Sequence, residues 1–127
     1  MNNDKPTKKV RTIAFDFDGV IAKYEGFVSK DDVQEPITEV VKAMGLLREA
    51  GYKILIYSTR GDAFLRKYCE KFSVPFDYIN HNPEKQGENP GKPIAWVYVD
   101  DRAINYGGQK AEKLVEEISK FKAYWQK

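Results

Sequence analysis

Val10-Arg11-Thr12-Ile13-Ala14-Phe15-Asp16-Phe17-Asp18-Gly19-Val20 is the stretch that decides how this chain is read. Its apolar, β-forming run of Ile13, Ala14, Phe15 and Phe17 is too short for a helix of its own and reads as a buried strand. The run stops on two carboxylates, Asp16 and Asp18. Taking such charges out of water is costly unless a cation or hydrogen-bond donors meet them. Gly19 then frees the backbone for a sharp turn. On an extended strand, alternation puts Asp16 and Asp18 on one face and Phe15 and Phe17 on the other, so the two acids are expected to share a site. The bland reading is a solvated turn; the core strand beneath the pair, and its partners further along, weigh against it.

The rest of the chain bounds what such a site can belong to. Its 127 residues suffice for one domain, 1–127, with residues 1–9 read as a flexible arm. A hydrophobic fraction of 42% is that of a globular protein. No apolar run approaches the ~20 residues of a membrane span, and no signal-peptide core is visible. Cys69 is the lone cysteine, so no internal disulfide is expected; it reads as a buried small hydrophobe in a cytoplasmic protein. Lys plus Arg exceed Asp plus Glu by 21 − 19 = 2, a balance that neither calls for nor excludes nucleic acid. Lys5, Lys8, Lys9 and Arg11 read as a solvated terminus.

Strand and helix signals alternate outward from the opening motif. The fifteen residues Ile21 to Glu35 follow neither period and read as a loop or small flap. Pro36 suits a first helical turn, and Ile37, Val40, Val41, Met44 and Leu47 give one apolar face down to Ala50, with Gly51 as the stop. Tyr52 to Tyr57 is a second strand running into Ser58, Thr59, Arg60 and Gly61. Asp62 is expected to cap a helix reaching Phe72, and a brief strand follows at Phe76 to Ile79. Asn80 to Pro93, with its prolines and glycines, reads as irregular. Ala95 to Val99 is the fourth strand, ending on Asp100 and Asp101. A final helix carries Ala111, Leu114, Val115, Ile118, Phe121 and Trp125 on its apolar face.

This alternation specifies an α/β fold: a single-domain, Rossmann-like parallel sheet sandwiched by helices. Groups at the carboxyl ends of the strands then line one crevice, where Asp16, Asp18, Ser58, Thr59, Asp100 and Asp101 meet. Clustered carboxylates repel one another unless neutralised, and hard oxygen ligands suit Mg²⁺. The hydroxyls of Ser58 and Thr59, with cations at Arg60, Lys92, Lys85 or Arg102, suit an anion rich in oxygens, most naturally phosphate. Lys85 is read as a solvated surface charge. His81 is read as an exposed loop residue bordering the crevice.

Asp16-Phe17-Asp18-Gly19-Val20, Ser58 after an apolar strand, Lys92, and Asp100-Asp101 together resemble the four motifs of haloacid dehalogenase-like (HAD) superfamily phosphatases. The resemblance spans nearly the whole chain. Ile56-Tyr57-Ser58-Thr59-Arg60 and Val97-Tyr98-Val99-Asp100-Asp101-Arg102 look especially like small bacterial and phage members. What it implies is Mg²⁺-dependent hydrolysis of a phosphomonoester through an aspartyl-phosphate. Asp16 would attack phosphorus, and Asp18 would act as acid and then base. Ser58, or Thr59 in its place, with Arg60 and Lys92 would hold the phosphate. Asp16, Asp18 (also through its carbonyl), Asp100 and Asp101 would hold the metal. Adjacent strand residues point opposite ways, so Asp100 is favoured as the direct ligand and Asp101 as acting through water or on Lys92.

Both gaps between motifs are too short for a sizeable cap. In this family an uncapped site often goes with a bulky substrate or a covering subunit, so oligomerisation is open, and a nucleic-acid 3′-phosphatase is the alternative enzyme. A phosphoacceptor switch would carry its adjacent acids on the first strand and a lone acceptor later, the reverse of this chain. A silent phosphate-binding module is disfavoured by the presence of both Asp16 and Asp18, and a calcium EF-hand by the early Gly19.

Overall fold

The computed structural model describes residues 10–26, 33–85, 87–89 and 91–126. The arm expected at 1–9 and the middle of the first connection, 27–32, lie outside the described residues. Strands β1 (Thr12–Asp16), β2 (Lys53–Tyr57), β3 (Tyr78–Ile79) and β4 (Val97–Val99) alternate with helices α1 (Thr38–Glu49), α2 (Asp62–Phe72) and α3 (Ala111–Ser119). All strand pairs are parallel and the sheet order is β3-β2-β1-β4, giving the expected α/β class. Among the described residues no helix is long and apolar enough to cross a membrane.

The pleat explains where the core lies. Ile13 and Phe15 pair with Ile54 and Ile56, so these four share one face of the sheet. That face joins Met44 of α1 and Leu65, Tyr68 and Cys69 of α2 in one buried cluster. Phe17, fully buried just past β1, meets the edges of Tyr68 at 4.7 Å and Phe64 at 6.0 Å between ring centres. Burying a ring of that size is worth ~2–3 kcal/mol. Ala14 and Leu55, also fully buried, occupy the opposite face. Over β4, the irregular segment before it is pinned by buried Asn82, whose Nδ2 donates to the Ile94 carbonyl at 2.9 Å, and by the Tyr98 hydroxyl, which donates to the Pro93 carbonyl at 2.6 Å.

Helix ends depart from the expectation in three places. Pro36 precedes α1 by two residues and bridges to Ala22, leaving Ile37 as the N-terminal cap. Gly61 occupies that place in α2, and the Asp62 carboxylate accepts from Asn80 Nδ2 at 2.8 Å instead of capping. The last helix stops at Ser119, short of the expected Trp125. Beyond it the chain folds back, with Ala123 buried, the Tyr124 hydroxyl donating to the Gly19 carbonyl and Trp125 Nε1 donating to Asp101. Those contacts, with residues 105 and 24 positions earlier, outweigh the helical periodicity of the tail.

Candidate functional site

Strand register builds the site. Asp16 is the last residue of β1 and pairs with Tyr57, the last of β2. On its other side Phe15 pairs with Val99, so Asp100 follows one step beyond β4 next to Asp16. The three side chains therefore emerge on the same face at the carboxyl ends of adjacent strands. The Tyr57 hydroxyl donates to Asp100 Oδ2 at 2.6 Å.

Asp101 joins them. One carboxylate oxygen from each of Asp16, Asp100 and Asp101 lies within 4.8 Å of the others. The expectation that Asp100 and Asp101 point apart holds only for extended chain. Here β4 has ended at Val99, and Asp100 Oδ1 accepts from the Arg102 backbone N–H at 2.9 Å, turning the chain so that both acids face Asp16.

The electrostatics record the crowding. Burial first, then a hydrogen bond shared with Asp101 and the charges of Asp100 and Asp101, push the Asp16 carboxyl up to about 7, against the Phe17 N–H that holds it down. For Asp100 burial also pulls upward, but the Tyr57 hydroxyl and the Arg102 N–H outweigh it and hold its carboxyl below the usual range. Asp101 Oδ2 takes the Trp125 indole N–H, while Asp101 Oδ1 is buried and meets no N–H or O–H donor. A trio of acids that includes a buried carboxylate oxygen without a donor fits a hard divalent cation such as Mg²⁺, to which each of the three residues could give one oxygen.

Asp18 is not part of this trio. β1 ends at Asp16, and the N–H groups of Val20, Ile21 and Ala22 all bond back to the Phe17 carbonyl, so strand alternation stops before Asp18 is reached. Its side chain is gripped in two prongs by Arg60, from Nε at 2.8 Å and from Nη2 at 3.0 Å. The acidic trio is Asp16, Asp100 and Asp101, and the Asp18 carboxylate, expected beside Asp16, is held by Arg60. Arg60 also lies over Phe64, its guanidinium 4.9 Å from the ring centre. With side chains only 12% and 28% exposed, this pair is costly to break from one side. Arg60→Met is expected to lower stability by ~2 kcal/mol, read by urea unfolding; an unchanged midpoint would contradict the pairing.

Ser58 and Thr59 border a cavity of about 360 Å³ together with Asp16, Tyr57 and Asn80. Ser58 Oγ accepts from the Arg60 N–H at 3.1 Å, which leaves its own O–H to donate. Lys92 is exposed, its ammonium 4.6 Å from the centre of the Tyr98 ring, and it lines a neighbouring cavity, whereas Gly91 and Pro93 on either side of it line the Asp16 cavity. His81 and Lys85 are exposed beside Lys92.

Sequence reasoning missed the residues that hold this arrangement. Asn80, in the left-handed region at φ 56°, accepts from the Ser58 N–H through Oδ1 at 2.8 Å and donates to Asp62, fastening β2's end to α2. An asparagine directly after a strand is a recognisable candidate for that conformation. Tyr57 could have been found by the strand-end rule that found Ser58. Tyr124 and Trp125 carried no local signal.

A solved structure shares the fold. A conserved protein from Bacteroides thetaiotaomicron superposes with a TM-score of 0.59 at 27% identity, over 88% of this chain and 91% of that one. A protein from Vibrio cholerae aligns with a TM-score of 0.49 at 18% identity, over 87% of this chain and 98% of that one. No family model matches the chain, and no curated protein does.

Proposed function

We propose that this chain is a Mg²⁺-dependent phosphomonoester hydrolase that works through an aspartyl-phosphate on Asp16. The observation supporting it is the convergence of Asp16, Asp100 and Asp101, with one Asp101 oxygen buried without a donor, beside the hydroxyl-lined cavity of Ser58 and Thr59. Magnesium held by the trio, with the Asp18 carbonyl as a further ligand, would offset the repulsion between Asp16 and the phosphate oxygens. The Asp16 carboxylate attacks phosphorus as the bond to the leaving oxygen breaks. Ser58, with Thr59 beside it, donates to the equatorial oxygens, and Lys92 swings off Tyr98 on its flexible stem to join them. Both Asp18 oxygens are engaged by Arg60, so giving a proton to the leaving oxygen, and later taking one from water, requires that pair to open. The buried, unbridged Cys69, its thiol pushed up to about 11 by burial, suits a cytoplasmic setting and no part in the chemistry.

The test is phosphate release from nucleotides, sugar phosphates and phosphorylated oligonucleotides, with Mg²⁺ and with a chelator. Release that requires the metal is expected. No metal-dependent release from any of the three classes would overturn the reading.

A further inference from the structure

A second cavity, of about 780 Å³, adjoins the acidic trio: Asp100 and Asp101 line it, with Tyr24, Tyr124, Trp125 and Val40 among its walls. Its volume is that of a small-molecule site. The aromatic wall is held in place rather than loose. Trp125 is tied by its indole N–H to Asp101, and Tyr124 by its hydroxyl to the Gly19 carbonyl. Tyr24 meets Trp125 edge-on, ring centres 4.7 Å apart and planes at 90°. The groups that fix this wall are thus the acid and the turn that shape the phosphate site, so whatever sits against the rings is set beside the reacting group. A wall already in place loses little entropy on binding.

We propose that this cavity receives an aromatic ring in the organic part of the substrate, making the preferred phosphomonoesters those with a planar aryl or heteroaryl group. The assignment rests on the phosphatase reading for the position of the phosphoryl group. Aromatic walls reward a planar ring by edge-to-face and offset contacts, whereas a bare sugar would strand hydroxyls against apolar surface.

The experiment has two arms. In the first, kcat/KM with Mg²⁺ is compared for 2-phenylethyl phosphate and butyl phosphate, whose leaving alcohols are alike in acidity, with a nucleoside 5′-monophosphate as the heterocyclic case. The ring-bearing esters are expected to be favoured about tenfold, and Tyr24→Ala to remove most of that preference. Which ring-bearing ester does better separates a phenyl-type from a nucleobase-type ligand. In the second, the unaltered protein is titrated with adenosine and with 2-phenylethanol while its two indole N–H signals are followed by NMR. The Trp125 signal is expected to move and that of Trp96, stacked on Tyr52 away from this cavity, to stay. Equal rates for both esters with an unmoved Trp125 signal would overturn the ring site and leave the phosphatase standing. A shifted Trp125 signal in a protein that hydrolyses none of the esters would uphold the ring site and remove the phosphatase reading.

Discussion

Asp16→Asn lowers phosphate release by at least about 10³-fold, equivalent to ~4 kcal/mol of barrier. The amide keeps the shape of the carboxylate and an oxygen for the Phe17 N–H, now at 2.8 Å, but it cannot form the acyl-phosphate bond. Loss of fold is not the cause to expect. Asp16 sits half-buried against Asp100 and Asp101, and its charge is already resisted there, so removing it relieves repulsion. Thermal unfolding of the metal-free variant should therefore come at or above the parent temperature. Turnover that survives the substitution would take Asp16 out of the chemistry; turnover lost together with the fold would contradict the electrostatic account of the trio.

Gly19→Ala carries the largest expected loss of stability, ~3 kcal/mol, or roughly 10 °C in a chain of this size. Two penalties coincide at this residue. Its φ of +86° disfavours any side chain, and a Cβ there would stand 2.3 Å from Asp101 Oδ2 and 3.1 Å from Trp125 Nε1. The methyl group would have to push Asp101 out of the trio and off its indole. Gly51→Ala separates the two effects, because Gly51 has a φ of +98° and open space around it, so only the backbone strain of ~1–2 kcal/mol applies. Urea unfolding of both variants decides: equal losses would mean that Asp101 and Trp125 do not press on Gly19. The first variant should also lose magnesium binding, and the second should keep it.

Much of this was legible because the signals were local. The apolar runs that end on Asp16, Ser58 and Asp100 identified strands and, through the rule that strand ends gather in a parallel sheet, the crevice itself. The end of α2 at Phe72 follows from the spacing of Leu65, Tyr68 and Phe72, whereas Asp62, expected as its cap, is its first residue. What failed to show was set by distant contacts. Strand alternation does not extend past Asp16, because the turn that begins at Phe17 belongs to the first connection and delivers Asp18 to Arg60, 42 residues away. Strand geometry predicts that Asp100 and Asp101 diverge, but β4 ends at Val99. The apolar stripe likewise extends past the end of α3 at Ser119. A helical stripe cannot announce that Trp125 is captured by Asp101, and the exposed Val115 and Ile118 show that the stripe alone does not seat that helix.

Whether Asp16, Asp100 and Asp101 together hold one divalent cation against a phosphoryl group is read by magnesium titration calorimetry. Because Asp16 titrates at about 7 without the metal, binding at about pH 6 must expel nearly one proton per ion, and at about pH 8 almost none. Repeating the titration in buffers of different ionisation heat counts those protons. One ion per chain is expected, with an affinity roughly tenfold weaker at the lower pH and binding lost in Asp101→Asn. No magnesium uptake at either pH, even with beryllofluoride present as a phosphate mimic, would contradict a cation site shared by the three.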